Sequence, residues 1–304
     1  MSERPRARPS PRLRRIRTAV VDWYAAEHRD FPWRGTTDPW AVLVSEVMLQ
    51  QTQASRVAER FGDLMRRFPT PETMADASEA EVLAAWSGLG YNRRALTLRR
   101  AATAVAVGGW PADPEGLRSL PGVGAYTARA VAALAFGHPV GAVDTNVRRW
   151  LVRRLGLDAS TSAAQLQVWA DALAAPARDA AEAAAWMHAS MEFGARVCRS
   201  RAPLCDACPI AAGCPARGRD TPVPGPRQAP FAGSLRAARG GVLRALTAAP
   251  DHRLPLRRLA GLIDGADLDA VLDALERDGL AHRSGQTARL GSAGSDRSAA
   301  TIAP

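Results

Sequence analysis

The sequence predicts an all-α fold, and three observations carry that prediction. Alanine, leucine and arginine, all strong helix formers, dominate the 304 residues. Asp38-Pro39 and Asp113-Pro114 each place an aspartate before a proline, the pattern of an N-cap followed by the first helical position. Alternating runs of β-branched and aromatic residues are almost absent, and aromatic residues make up only 6% of the chain. A hydrophobic content of 47% supplies enough apolar material for a buried core and for more than one domain.

The opening MSERPRARPSPRLRRIR is rich in arginine and proline, and residues 1–16 read as a basic disordered arm. No long apolar core follows it, as a secretory signal would need. No apolar run reaches membrane-spanning length. A cytoplasmic, nucleoid-associated location is expected. A first helix covers 17–27. A buried helix runs from Trp40 to about Phe61, because Trp40, Val42, Leu43, Val44, Val47, Met48 and Leu49 leave its first half apolar almost all round. Further helices are expected over 79–86, 93–107, 114–120, 126–136, 145–155, 162–174 and 179–193. Pro222, Pro224, Pro226 and Pro230 mark residues 219–230 as a linker. Amphipathic helices at 235–246, 254–263 and 268–278, then a hairpin turning at Ser284-Gly285, predict a winged-helix-like domain over 231–290. The small, polar residues 291–304 read as a disordered tail.

Charge and cysteine usage narrow the function. The formal net charge is +10 and the sequence pI is near 10.8, the footprint of a polyanion binder. All 40 basic residues are arginine, so lysine Schiff-base chemistry is excluded. The only cysteines, Cys198, Cys205, Cys208 and Cys214, follow C-x6-C-x2-C-x5-C. Four thiolates at fixed, close spacing form a ligand set for one metal centre, and spacing alone leaves zinc and an iron–sulfur cluster both open. Arg199 and Arg201 lie within the same stretch, so metal binding would hold out a basic loop.

Three further segments carry chemistry. In LPGVGAYTARAV, residues 120–131, Gly122 and Gly124 allow close backbone approach before a new helix whose free N–H groups favour an anion. Such a hairpin grips a DNA phosphate without reading sequence, although an ordinary helix–helix turn has the same outline. Glu46 stands inside the most apolar helix. If buried, its pKa rises towards that of a general acid working at neutral pH; if it shares a solvent face with Gln50, it does nothing. Asp144 begins a helix, where it is an ordinary N-cap or an anion kept ionised by the helix end. An acid and an anion with pKa values pushed apart are what glycosidic-bond cleavage needs.

Five segments occur in one order: SEVMLQQTQ (45–53), GLGYNRRA (88–95), LPGVGAYTA (120–128), VDTNVRR (143–149) and the cysteine pattern. Together, over roughly residues 15–218, they resemble the adenine DNA glycosylases, the MutY branch of the helix-hairpin-helix base-excision superfamily. The resemblance implies a two-lobed fold, with a cluster lobe from 17–31 and 141–218 and a six-helix lobe over 32–140 that holds the hairpin. It implies excision of adenine mispaired with 8-oxoguanine or guanine in duplex DNA, by a monomer and after the adenine is flipped out.

The resemblance also assigns roles. Glu46 would protonate the departing adenine at N7 and then serve the incoming water. Asp144 would stabilise the oxocarbenium-like sugar or bond to it briefly, with Tyr126 and Asn146 holding both carboxylates and the water. Arg34 and Glu192 match positions lining the adenine pocket. Gln51 matches a residue inserted into the base stack, and Tyr91 an aromatic wedge against the oxidised guanine. The cysteines match a [4Fe–4S] cluster. Endonuclease-III-like relatives carry a strand-cutting lysine where Tyr126 stands, so a monofunctional enzyme is expected. Many members end in a larger domain resembling Nudix hydrolases, which the segment after Pro230 does not match. Two other readings remain: a thymine or uracil mismatch glycosylase of the same superfamily, and a non-catalytic iron–sulfur winged-helix regulator.

Overall fold

A computed structural model describes residues 10–219, 234–263 and 266–293. Most of the expected arm, linker and tail lie outside the described residues. In chain order the helices are α1 (Pro11–Glu27), α2 (Pro39–Leu49), α3 (Ala54–Arg67), α4 (Pro71–Asp76), α5 (Glu79–Ala85), α6 (Arg93–Gly108), α7 (Pro114–Leu117), α8 (Ala125–Phe136), α9 (Thr145–Leu155), α10 (Ala163–Ala174) and α11 (Ala180–Arg196). After the linker come α12 (Leu235–Ala248), β1 (Arg253–Pro255), α13 (Leu256–Ala260), α14 (Leu268–Arg277), β2 (Ala281–Ser284) and β3 (Thr287–Leu290).

Several boundaries differ from the sequence expectation, among them the helix expected over 254–263, which begins as strand β1 and leaves α13 confined to Leu256–Ala260. The first helix starts at Pro11, so the last residues of the expected arm are helical; Ser10 caps it by accepting from the Leu13 N–H at 3.3 Å. The single long helix expected over 40–61 is two helices, interrupted at residues 50–53. A short helix, α4, was not expected; its capping box pairs Thr70 with Thr73.

The chain divides into two compact units, Met1–Glu46 with Pro111–Ser119 and Val123–Pro226, and Val47–Trp110 with Leu120–Gly122 and Arg227–Pro304. This division differs from the expected lobes. The Ala-rich buried face of α8 packs on α11, which joins α7 and α8 to the cysteine segment. The core of this first unit gathers Leu13, Ile16, Val20, Leu151, Leu166 and Leu173 around Trp150, Trp186 and Phe193. Trp150 meets Trp186 and Phe193 edge-to-face, at 6.3 and 5.8 Å between ring centroids.

In the second unit α4 packs on α6, and α12 packs on α5. The C-terminal segment is therefore part of this unit rather than a free appendage. The Ser292 N–H donates to Glu79 Oε2 at 2.8 Å and reinforces that join. The segment runs helix, strand, helix, helix, hairpin, with the strands in antiparallel order β1-β3-β2. That is a winged-helix-like topology, with β1 completing the sheet that the sequence showed only as a hairpin. Fold class is all-α apart from these three short strands among the described residues.

Candidate active site

Glu46 is placed by α2. Asp38 caps this helix, with its two carboxylate oxygens accepting from the Trp40 and Ala41 N–H groups at 3.2 and 3.1 Å. The apolar residues that follow pack on all sides, and Glu46 is left 5% exposed. Burial pushes its pKa up to about 7; the Tyr126 hydroxyl opposes that shift, and the nearby Asp144 charge adds to it. The solvent-facing alternative for Glu46 is therefore excluded. Tyr126, in the first turn of α8, is hydrogen-bonded to Glu46, and its hydroxyl also lies against Met191 Sδ.

Asp144 is the N-cap of α9, and its Oδ1 accepts from the Val147 N–H at 2.6 Å. Oδ2 accepts from Asn146 Nδ2 at 2.7 Å. Burial raises the pKa of Asp144, against those hydrogen bonds and the Arg149 charge. The expected helix-end effect is present but does not outweigh burial. The N-cap and catalytic readings of Asp144 are compatible, because the cap leaves the carboxylate beside Glu46.

Arg149 extends this group. Its guanidinium donates to Asn146 Oδ1 at 2.9 Å and to the Cys198 carbonyl at 2.7 Å, and it also bonds the Gly194 carbonyl. Close approach of α9 and α11 makes these bonds possible. A Cβ on Gly194 would stand 2.6 Å from the Asn146 carbonyl oxygen, so no larger residue fits. Asp144, Asn146 and Arg149 thus form one chain of hydrogen bonds ending at the backbone of the first cysteine.

Arg34 and Glu192 meet. Arg34 Nη2 donates to Glu192 Oε2 at 2.7 Å. Sequence reasoning missed the third member, Arg29, whose Nε and Nη2 donate to Glu192 at 2.7 and 3.0 Å. Glu192 is 2% exposed, yet its pKa is lowered to about 2. Burial itself raises it, and the combined hydrogen bonds and charges of Arg29 and Arg34 win. Arg34 lies over the rings of Tyr24 and Phe31, at 5.4 and 5.0 Å from their centroids.

The second unit brings Gln51 and Tyr91 to one cavity of about 870 Å³. Both adopt left-handed backbone, at φ 55° and 48°. Arg94 explains how that strain is held, and it too was missed. Its Nη1 donates to the Val47 and Met48 carbonyls at 2.8 and 3.0 Å, and its Nη2 to Thr52 Oγ1 and the Gly90 carbonyl, both at 3.0 Å. One guanidinium thereby caps the end of α2 and ties it to the 88–91 turn. In the predicted hairpin, Gly122 has φ 76°, and a Cβ there would collide with Thr97 Cγ2 at 2.2 Å. Gly124 caps α8 without a side chain, leaving the first N–H groups of that helix without a side-chain cap.

The four cysteines line one pocket, together with Arg153 and Arg217. Arg153 Nη1 approaches Cys198 Sγ at 3.7 Å and donates to the Arg199 carbonyl at 2.6 Å. No carboxylate or imidazole lines that pocket. Among the described residues, no three His, Cys, Asp or Glu side chains converge as ligands of a single ion.

Comparison with known proteins supplies the family. Residues 44–170 match the model of the HhH-GPD superfamily base excision DNA repair protein. An adenine DNA glycosylase of Mycobacterium tuberculosis strain H37Rv is 43% identical over 276 residues, covering 88% of this chain and 90% of that protein. The adenine DNA glycosylase of Homo sapiens is 42% identical over 218 residues, 67% of this chain and 40% of the human protein. The solved structure of a thermostable thymine-DNA glycosylase superposes with a TM-score of 0.62 at 28% identity, over 67% of this chain and 96% of that one. On these grounds, and with a protonatable glutamate standing beside an aspartate, the chain belongs to the adenine DNA glycosylases, base-excision repair enzymes that remove adenine.

Proposed function

We propose that the chain excises adenine mispaired with 8-oxoguanine or guanine in duplex DNA, as a monofunctional glycosylase. One observation carries the mechanism: Glu46 is buried, has a pKa of about 7, and touches both Tyr126 and the field of Asp144. At neutral pH a substantial fraction of Glu46 is protonated, so it has a proton to give to adenine N7. Protonation turns the base into a neutral leaving group as the glycosidic bond breaks. The same carboxylate, now charged, takes a proton from the incoming water. Asp144, held by Asn146 and the Val147 N–H, faces the positive charge that develops on the sugar. Arg34 and Glu192 form a fixed ion pair that can hold the adenine edge, while Tyr91 and Gln51 act on the paired strand. No lysine exists to form a Schiff base, so the abasic site is left uncut.

The cysteine pocket fits a [4Fe–4S] cluster. Its donors are four thiols with no competing oxygen or nitrogen ligand in the lining, and Arg153 and Arg217 offset the negative charge of the thiolates. Cys198, Cys205, Cys208 and Cys214 would hold the group, which supplies a rigid anchor for the loop bearing Arg199 and Arg201. Iron and acid-labile sulfide analysis of the purified protein tests this, and stoichiometric zinc would overturn it.

The activity test uses duplexes holding A·8-oxoG, A·G, T·G or U·G. Strand breaks at adenine, appearing only after alkali, are expected. Breaks without alkali would reject the monofunctional reading. Breaks at thymine or uracil would favour the mismatch reading, which the likeness to a thymine-DNA glycosylase structure keeps in view.

A further inference from the structure

The cavity beneath Tyr91 has a second wall that the chemistry above leaves unused. Arg236, Arg239 and Arg244 of α12 line it from one helical face, together with Arg56 of α3. Two of the nearby charges are spoken for: Asp278 bridges Arg239 and Arg93, the latter at 3.5 Å, and so pins α12 beside the 88–94 turn. Arg56 and Arg244 are exposed and form no side-chain hydrogen bond or ion pair among the described residues. Tyr91, 41% exposed and with Arg94 over its ring at 5.4 Å from the centroid, lines the same cavity. A basic concavity of about 870 Å³ beside an exposed ring suits a nucleic-acid strand.

The helix that a winged-helix unit ordinarily lays in the major groove is the second of its helix-turn-helix pair. Here that helix is α14, and its surface is acidic. Asp269, Asp273 and Glu276 all pair with Arg283 of β2, at 3.3 Å for Asp269 and 2.8 Å for Glu276. Three carboxylates against one guanidinium leave that face net negative, which disfavours a phosphate backbone, and Arg283 is held by them rather than turned to a phosphate.

We propose that the C-terminal unit holds DNA through α12 rather than α14, with Arg244 joining Arg56 on backbone phosphates in this cavity. The proposal rests on the adenine-glycosylase reading only for the choice of ligand. The unit would thus add affinity along the backbone, not base recognition.

The test measures binding of the full chain to A·8-oxoG, A·G and fully paired duplexes between about 50 and 200 mM salt. Arg56→Gln with Arg244→Gln should weaken binding to all three alike and flatten the slope of log K against log salt by about 2, near 0.9 for each lost phosphate contact. Arg257→Gln with Arg258→Gln, exposed on α13 outside the cavity, should leave the slope unchanged. An unchanged slope in the first pair, an equal loss in the second, or a loss confined to A·8-oxoG would each overturn the assignment. Adenine excision by the wild-type chain, scored on the same duplexes, tests the parent reading separately. Intact excision with an unaltered slope rejects the α12 site alone.

Discussion

Two glutamates of the first unit are almost equally buried and titrate in opposite directions. Glu46, on α2, is raised to about 7; Glu192, on α11, is lowered to about 2. Burial disfavours the charged form of both. Their partners make the difference. Glu46 meets one hydroxyl and a second carboxylate, whereas Glu192 accepts from two guanidinium groups. A buried carboxyl in this fold is therefore not acidic or basic by location. One environment leaves a carboxyl that can carry a proton at neutral pH, and the other leaves a permanent anion.

The largest expected effect breaks the comparison at its reactive member. Glu46→Gln keeps the shape and removes the proton, so single-turnover excision should fall by about 10²–10⁴-fold while mismatch affinity is retained. Turnover near the wild-type rate, measured by quench and alkali cleavage, would refute the assignment of the acid. In the wild type, excision should decline above pH 7, approaching tenfold per pH unit, because only protonated Glu46 can donate. A rate that keeps rising through pH 8.5 would contradict the pKa.

Removing the other glutamate should act mainly on stability. Glu192→Gln leaves Arg29 and Arg34 facing a neutral amide; breaking a buried pair on one side costs about 3–5 kcal/mol, and the 45% exposure of the Arg29 side chain puts this loss at or below the lower end. Denaturant unfolding reads that loss, and a change under about 1 kcal/mol would mean that water already screens the pair.

The pH dependence of unfolding sharpens the contrast, and its sign differs at the two sites. Glu46 has a folded pKa above its ordinary 4.5. Its contribution is complete below pH 4.5 and is lost as pH rises to 7, by roughly 3 kcal/mol. Glu46→Gln should therefore gain on the wild type over that window. Glu192 has a folded pKa below 4.5. Its contribution is complete above pH 4.5 and is lost as pH falls towards 2. Parallel unfolding curves for wild type and Glu46→Gln between pH 4.5 and 7 would contradict the shift.

The two sites also differ in how far the sequence exposes them. Glu46 stands out in the sequence because its helix is apolar almost all round, although its burial beside Tyr126 and Asp144 is set by other elements. Asp144 is legible as a helix cap for a similarly local reason, whereas Asn146 and Tyr126 enter only through the family resemblance. The Arg29–Glu192 pair is not legible, since 163 residues separate its members and nothing local marks Arg29. Nothing local marks Arg94 either; its targets at residues 47–52 lie at the end of α2 and in the break after it, and the sequence reads through that break as continuous helix. The Glu46–Asp144 proximity came from the family resemblance rather than from spacing.

The smallest effect concerns what steadies the anionic member. Phe31 lies 4.9 Å from the Arg29 guanidinium and 5.0 Å from that of Arg34, measured to the ring centroid. A ring face near two cations holds them without taking hydrogen bonds away from Glu192. Phe31→Leu should cost about 0.5–1 kcal/mol per cation beyond its lost apolar area. A double-mutant cycle with Arg34→Met isolates one such contact, because packing losses common to both backgrounds cancel. Coupling near 0.5–1 kcal/mol is expected. Zero coupling, with Glu192 still ionised at pH 3, would show that the two ion pairs alone fix the anion and that the ring serves only as core.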